Sequence, residues 1–207
     1  MSYYEIVRRG TLRYRSIRRL TEPTIEPVSI AEAKAHLRID SDFTDDDLYV
    51  QTLISAARHH VETVSDRTLV RSQWQLKLDL FPSWGIELPR PPIATGPITV
   101  TYVQTGSSSP VAFTDFREDR DSVPAVIRPQ WNGTWPSCRG AENDITITYW
   151  AGYGDSTTAI PAPARHCILM MCGHWYAVRE AVIQGGMNPV PMAVDVLLGS
   201  INWGQYR

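Results

Sequence analysis

Residues 145–180 read ITITYWAGYGDSTTAIPAPARHCILMMCGHWYAVRE. The first six alternate with a period of two, as a half-buried strand does. Gly152 and Gly154 then turn the chain, and Pro161 or Pro163 opens a helix. Proline suits that place, because its missing N–H has no intrahelical partner in the first turn. The helix is apolar almost all the way round and is predicted to run to about Ile183, before Gly185 and Gly186. A helix of that composition needs burial on every side. A chain of 207 residues with much strand and loop has little core to provide it. The stretch therefore points to other copies of the chain as part of the cover, with Met171, Trp175 and Val178, or the opposite side of the helix, as candidate subunit contacts.

Upstream, WQLKLDLF (74–81) and ITVTYVQT (98–105) show the same alternation as ITITYW (145–150). Shorter strand signals lie at 86–88, 111–116 and 124–129. Prolines and glycines punctuate them, which predicts an antiparallel meander with irregular turns. Residues 70–150 are read as a β-rich insertion between helices.

Before the insertion stand two helices. Ser29 and Glu32 fit a capping box, and Ile30, Ala33 and Leu37 give the first helix an apolar face. The loop IDSDFTDDD follows, with Thr44 as the expected cap of the second helix. Asp45, Asp46 and Asp47 are expected in its first turn, where the helix dipole favours negative charge. Its predicted core stripe is Val50, Leu53, Ile54, Ala57, Val61 and Val64, with Asp45, Thr52, Ser55, His59, Glu62 and Asp66 mostly off it. At the far end, a short helix from Pro191 with Ala193, Val194, Leu197 and Leu198 on its apolar side is expected to stop at Gly199. Ile201, Trp203 and Tyr206 then form an extended tip. The predicted fold is α+β: a helical core of three to four helices (28–69 and 151–190) around the insertion, with a basic arm at 1–27 and a tail at 191–207.

Composition narrows function. The formal charge is −2, but residues 1–20 carry Arg8, Arg9, Arg13, Arg15, Arg18 and Arg19 against Glu5 alone. An arm of that kind can pair with phosphates or dock on an acidic protein. Three cysteines without framework spacing do not read as a disulfide scaffold. No apolar run follows the basic N-terminus, so no signal peptide is expected. The longest apolar run, broken at Gly173 and His174, falls short of a membrane span.

Candidate chemistry dissolves on spacing. His166 and His174 stand about two turns apart on a helix, roughly 12 Å, too far to share one ion with Cys167 or Cys172. His59, His60 and Glu62 lack the i, i+4 histidine pair of zinc peptidases. DSDFTDDDLYVQ has neither the central glycine nor the closing glutamate of a calcium loop. WAGYGD has no lysine for a phosphate loop, and GTWPSC no nucleophile elbow. No catalytic set, no metal and no cofactor is expected.

Taken in order, PVSIAEAKAHLRID, the acidic DDD lead-in and LISAARHHVETVSDRTLV resemble the start of head–tail connector proteins of long-tailed phages, the adaptor or head-completion proteins. ITITYWAGYGD, IPAPARHCILMMCGHWY and LLGSINWGQYR continue the resemblance over about 28–206. The chain departs from that pattern in its long basic arm, and its tip reads INWGQY where related chains often end proline–tyrosine–arginine.

The resemblance implies a structural protein of the virion neck, made in the host cytoplasm and assembled as a ring, typically of twelve copies, under the portal. Such a ring extends the DNA channel and carries the stopper or tail-completion protein. It implies genomic DNA passing through without sequence-specific binding, and no membrane. By analogy, Leu197, Leu198, Ile201, Trp203 and Tyr206 would dock on the portal, and removing 199–207 would leave a folded chain that fails to dock. Two other readings stand beside this one. One is a DNA-binding accessory protein acting through the arginine arm. The other is a hydrolase, for which the spacing offers no site.

Overall fold

The computed structural model describes residues 15–178 and 192–201. The chain forms two compact units, Met1–Glu22 with Arg71–Gly152, and Pro23–Val70 with Tyr153–Arg207.

The first unit is built of antiparallel strands. Five form one sheet in the order β1 (Ser16–Arg19), β2 (Ser72–Leu78), β8 (Ile145–Ala151), β4 (Thr99–Val103), β5 (Pro110–Phe113). Three form a second, in the order β3 (Ile86–Glu87), β7 (Val126–Pro129), β6 (Phe116–Asp119). The sheet is not the expected meander, because β8 sits between β2 and β4. The alternation explains that pairing. Trp74, Leu76 and Leu78 face the core opposite Tyr149, Ile147 and Ile145. Each such side chain contributes about 1.5–3 kcal/mol when buried, and a slip of one residue would turn them all outward. The Tyr149 hydroxyl, also buried, donates to the Pro89 carbonyl at 2.8 Å.

Residues 111–116, read as one strand, are split between two sheets, with Thr114 and Asp115 at the corner. The split gathers Phe81, Tyr102, Phe113, Phe116 and Trp135 against the core, with Phe81 and Trp135 stacked at 4.7 Å. Gly96, at φ +144, lies against Trp150, whose Cδ1 would stand 2.6 Å from an added Cβ. The basic arm is not a tether throughout. Its residues 16–19 are β1, paired to β2 with Ile17 opposite Leu76.

The second unit is helical: α1 (Ile30–Leu37), α2 (Asp47–Ser65), α3 (Ala162–Ala177) and α4 (Met192–Ile201). The capping box at α1 is present. The Ser29 hydroxyl accepts from the Glu32 N–H, and the Ser29 N–H donates to the Glu32 carboxylate at 3.0 Å. At α2 the cap is Asp46 rather than Thr44, so only Asp47 of the three aspartates lies in the first turn. The Asp46 carboxylate accepts instead from the Tyr176 hydroxyl.

The core joins Val50, Leu53, Ile54, Ala57 and Val61 of α2 to Ala164, Cys167, Ile168, Met171 and Cys172 of α3, and to Val194, Leu198 and Ile201 of α4. α3 stops at Ala177 rather than near Ile183. α4 runs through Gly199 to Ile201, so Ile201 is a helical core residue and not part of an extended tip. An interior glycine costs a helix only about 1 kcal/mol relative to alanine, and the buried Leu198 and Ile201 on either side hold it.

Candidate assembly surfaces

Charged side chains fix the helical unit from inside. The Arg58 guanidinium donates to both carboxylate oxygens of Glu26, at 2.8 and 3.4 Å, and to Glu62 at 3.2 Å. Glu62 also accepts the Leu69 N–H at 2.9 Å. This one cluster ties the segment before α1 to α2 and to the chain leaving it. Burial disfavours the Arg58 charge, but the bonds to Glu26 and Glu62 outweigh burial and raise its pKa. Lys34 of α1 reaches Asp47 at 2.6 Å and the Ser41 carbonyl at 3.2 Å. Arg165 of α3 pairs with Glu32 and donates to the Pro27 carbonyl. The Ser29 backbone N–H, then its hydroxyl and Arg165, hold the Glu32 carboxyl below its ordinary value against a smaller opposing effect of burial.

The candidate docking residues of the tail fall in three places. Leu198 and Ile201 are buried in the helical core, and Leu197 is partly buried against it. The Ile201 carbonyl accepts from Arg67 Nε. Trp203 and Tyr206 lie outside the described residues. Val196, which the sequence reading did not single out, is 70% exposed, an apolar side chain that α4 turns to solvent among the described residues. Of the candidate subunit contacts, Met171 is 1% exposed and makes its contacts inside the chain. Trp175 and Val178 are partly exposed.

The arginine arm is partly placed. Arg15 pairs with Glu142 at 2.5 Å and Asp79 at 3.7 Å. Arg18 donates to the Gln75 side chain at 2.9 Å. Arg19 pairs with Glu22 and lies 5.0 Å over the Trp74 ring. These three engage their own sheet. Arg8, Arg9 and Arg13 lie outside the described residues.

Burial pushes the Cys167 and Cys172 thiols up to about 11 and about 12, so both behave as small apolar residues. Among the described residues no three His, Cys, Asp or Glu side chains gather where they could hold one metal ion. In the acidic loop, Asp42 accepts from the Ser41 hydroxyl at 2.6 Å, and Asp47 is taken by Lys34. No helix of the described residues is long and apolar enough to cross a membrane.

The two sides of α3 differ in exposure. One side is sealed by Ala164, Cys167, Ile168, Met171 and Cys172. The other leaves Ala162, His166 and Ala177 exposed, and Leu169 and Met170 partly exposed. Among the described residues, the chain leaves part of this helix uncovered.

Residues 27–94 match the family model of the phage gp6-like head-tail connector proteins, a span that holds α1, α2, β2 and β3. Over that span, about a third of the chain, the sequence is similar to the head–tail connector family. Solved structures extend the likeness in fold to nearly the whole chain. A chain in the neck of the empty gene transfer agent (GTA) particle, computed with C6 symmetry, matches with a TM-score of 0.72 at 19% identity, over 90% of this chain and 95% of its own. One in the virion of the native GTA particle matches at 0.67 and 22% identity, over 90% and 94%. One in the native GTA neck computed with C12 symmetry matches at 0.67 and 19%, over 90% and 94%. No curated protein matches the chain.

Proposed function

We propose that this chain is a structural subunit of the head-to-tail junction of a phage or phage-like particle and not an enzyme. It forms a closed ring beneath the portal, extends the channel for the genomic DNA and carries the stopper or tail-completion protein. One observation carries the reading: the family match at the helical start lies inside a fold shared, over 90% of the chain, with chains of particle necks. The C12 symmetry of one such neck supports a ring of twelve copies.

The physical chemistry agrees. A ring of heterologous contacts covers on each copy what the copy cannot cover itself, and α3 has such a side. The formal charge of −2 suits a passage that DNA must traverse without being held. The three placed arginines of the arm already have partners in their own sheet, which favours the ring over a DNA-binding arm. Portal docking is assigned to residues 202–207, with Trp203 and Tyr206 as aromatic anchors, and to the exposed Val196. A cut before Gly199 would pull Ile201 out of the core, so the informative truncation removes 202–207 alone. That protein is expected to fold and to fail to join the portal; normal joining would contradict the assignment.

Deleting the gene tests the role directly. The expected product is DNA-filled heads without tails, restored by supplying the chain in trans. Normal tailed particles from the deletion strain would refute the proposal.

A further inference from the structure

α2 is a surface helix with its charges turned inward. Its charged residues are Asp47, Arg58 and Glu62. Asp47 is held by Lys34, and Arg58 and Glu62 are 6% and 3% exposed within their cluster. Outward, among the described residues, the helix shows Leu48, Thr52, Ala56, His59 and Thr63 at helical spacing, all exposed. Leu48 is 78% exposed. The two threonine hydroxyls do not reach for water. Thr52 donates to the Leu48 carbonyl and Thr63 to the His59 carbonyl, each at 2.8 Å, which leaves their methyl groups outermost. A helix that faced solvent would carry the reverse pattern, with charge outside and none within.

We infer that this stripe of α2 is a subunit contact, and that its occupant is the outward side of α3 from a second copy of the chain. The inference rests on the ring reading and adds the two surfaces that close it. The α3 side is its counterpart in kind. The one formally charged residue of that helix, Arg165, is paired with Glu32, and among the described residues Ala162, His166 and Ala177 are exposed, with Leu169 and Met170 partly exposed at the edge of the core beside them. A head-to-tail ring needs two different, mutually fitting surfaces on every copy. These two are unlike in sequence and alike in having no charge to desolvate, and an unpaired buried charge is what such a contact must avoid.

The test uses the full chain in assembled particles. His59→p-benzoylphenylalanine is irradiated in place, and products are separated under denaturing conditions and sequenced by mass spectrometry. The expected product has twice the mass of the chain and joins position 59 to a peptide within 162–177, the doubled mass distinguishing it from a link within one copy. A link to a different protein or to another segment, or no link, overturns the inference. A second arm uses Ala56→Glu against Ala56→Ser. Both are expected to fold, since Ala56 is exposed, but only the serine variant should form the ring; a glutamate variant that assembles normally overturns the inference. If the wild-type chain forms no ring in the particle, the reading beneath falls as well, and native mass of the isolated neck reports that separately.

Discussion

Arg58 shows how much of this protein is decided by single side chains. Its guanidinium is shared by Glu26 and Glu62, and removal would leave two carboxylates facing each other in a buried site. Breaking a buried pair in this way costs about 3–5 kcal/mol. Arg58→Ala should therefore lower the urea midpoint of the isolated protein sharply, and an unchanged midpoint would contradict the assigned role. Glu32 gives a prediction in pH. Its folded pKa lies below the unfolded one, so its charge contributes stability that is present above the unfolded value and lost as pH falls through the folded one. Glu32→Gln can still fill the capping box. The stability gap between wild type and this variant should be full at neutral pH and close on acidification below the ordinary value of 4.5. Urea titrations at several pH values would show it. Periodicity placed Glu62 poorly. A scheme that sorts residues into apolar and polar faces puts Glu62 outside and keeps Val64 inside, whereas Val64 is 41% exposed and Glu62 is buried. The missing signal was long-range, because Glu26 and Leu69 supply the partners that make the inward charge tolerable.

At the scale of elements, local pattern carried far. The alternation in 74–81, 98–105 and 145–150 gave strands whose inward residues match, because a period of two leaves no choice of face. The order of those strands was not legible. Nothing local tells β8 to enter between β2 and β4, or Thr114 and Asp115 to send the chain from one sheet to the other. Gly199 misled for a related reason: glycine is a stop signal only where nothing downstream is buried, and Ile201 is. α4 makes that testable. Leu198→Ala removes a fully packed side chain and should cost about 2–5 kcal/mol, while Val196→Asp on the exposed side should leave the melting temperature nearly unchanged. Equal losses from the two would show that α4 does not pack as described. Of the tail's docking candidates, sequence named Leu198 and Ile201, which hold the helix down, and passed over Val196, which faces out.

At the scale of the whole molecule, the opening puzzle of α3 has a physical answer in two parts. One side of the helix is covered by α1, α2 and α4 of the same chain, and the proposed ring would cover the exposed Ala162, His166 and Ala177 with a neighbour. The same logic accounts for α2, whose outward stripe would be poor surface for a free monomer and is well suited to a closed assembly. Fold and surface chemistry thus support the proposed ring subunit of a particle neck. Cryo-electron microscopy of purified particles, focused on the head–tail junction, tests this most directly. The account predicts a closed ring of twelve copies of this chain around the channel beneath the portal, with α2 of each copy against α3 of the next. A neck whose ring density belongs to other proteins, with this chain absent or present only as isolated copies, would contradict it.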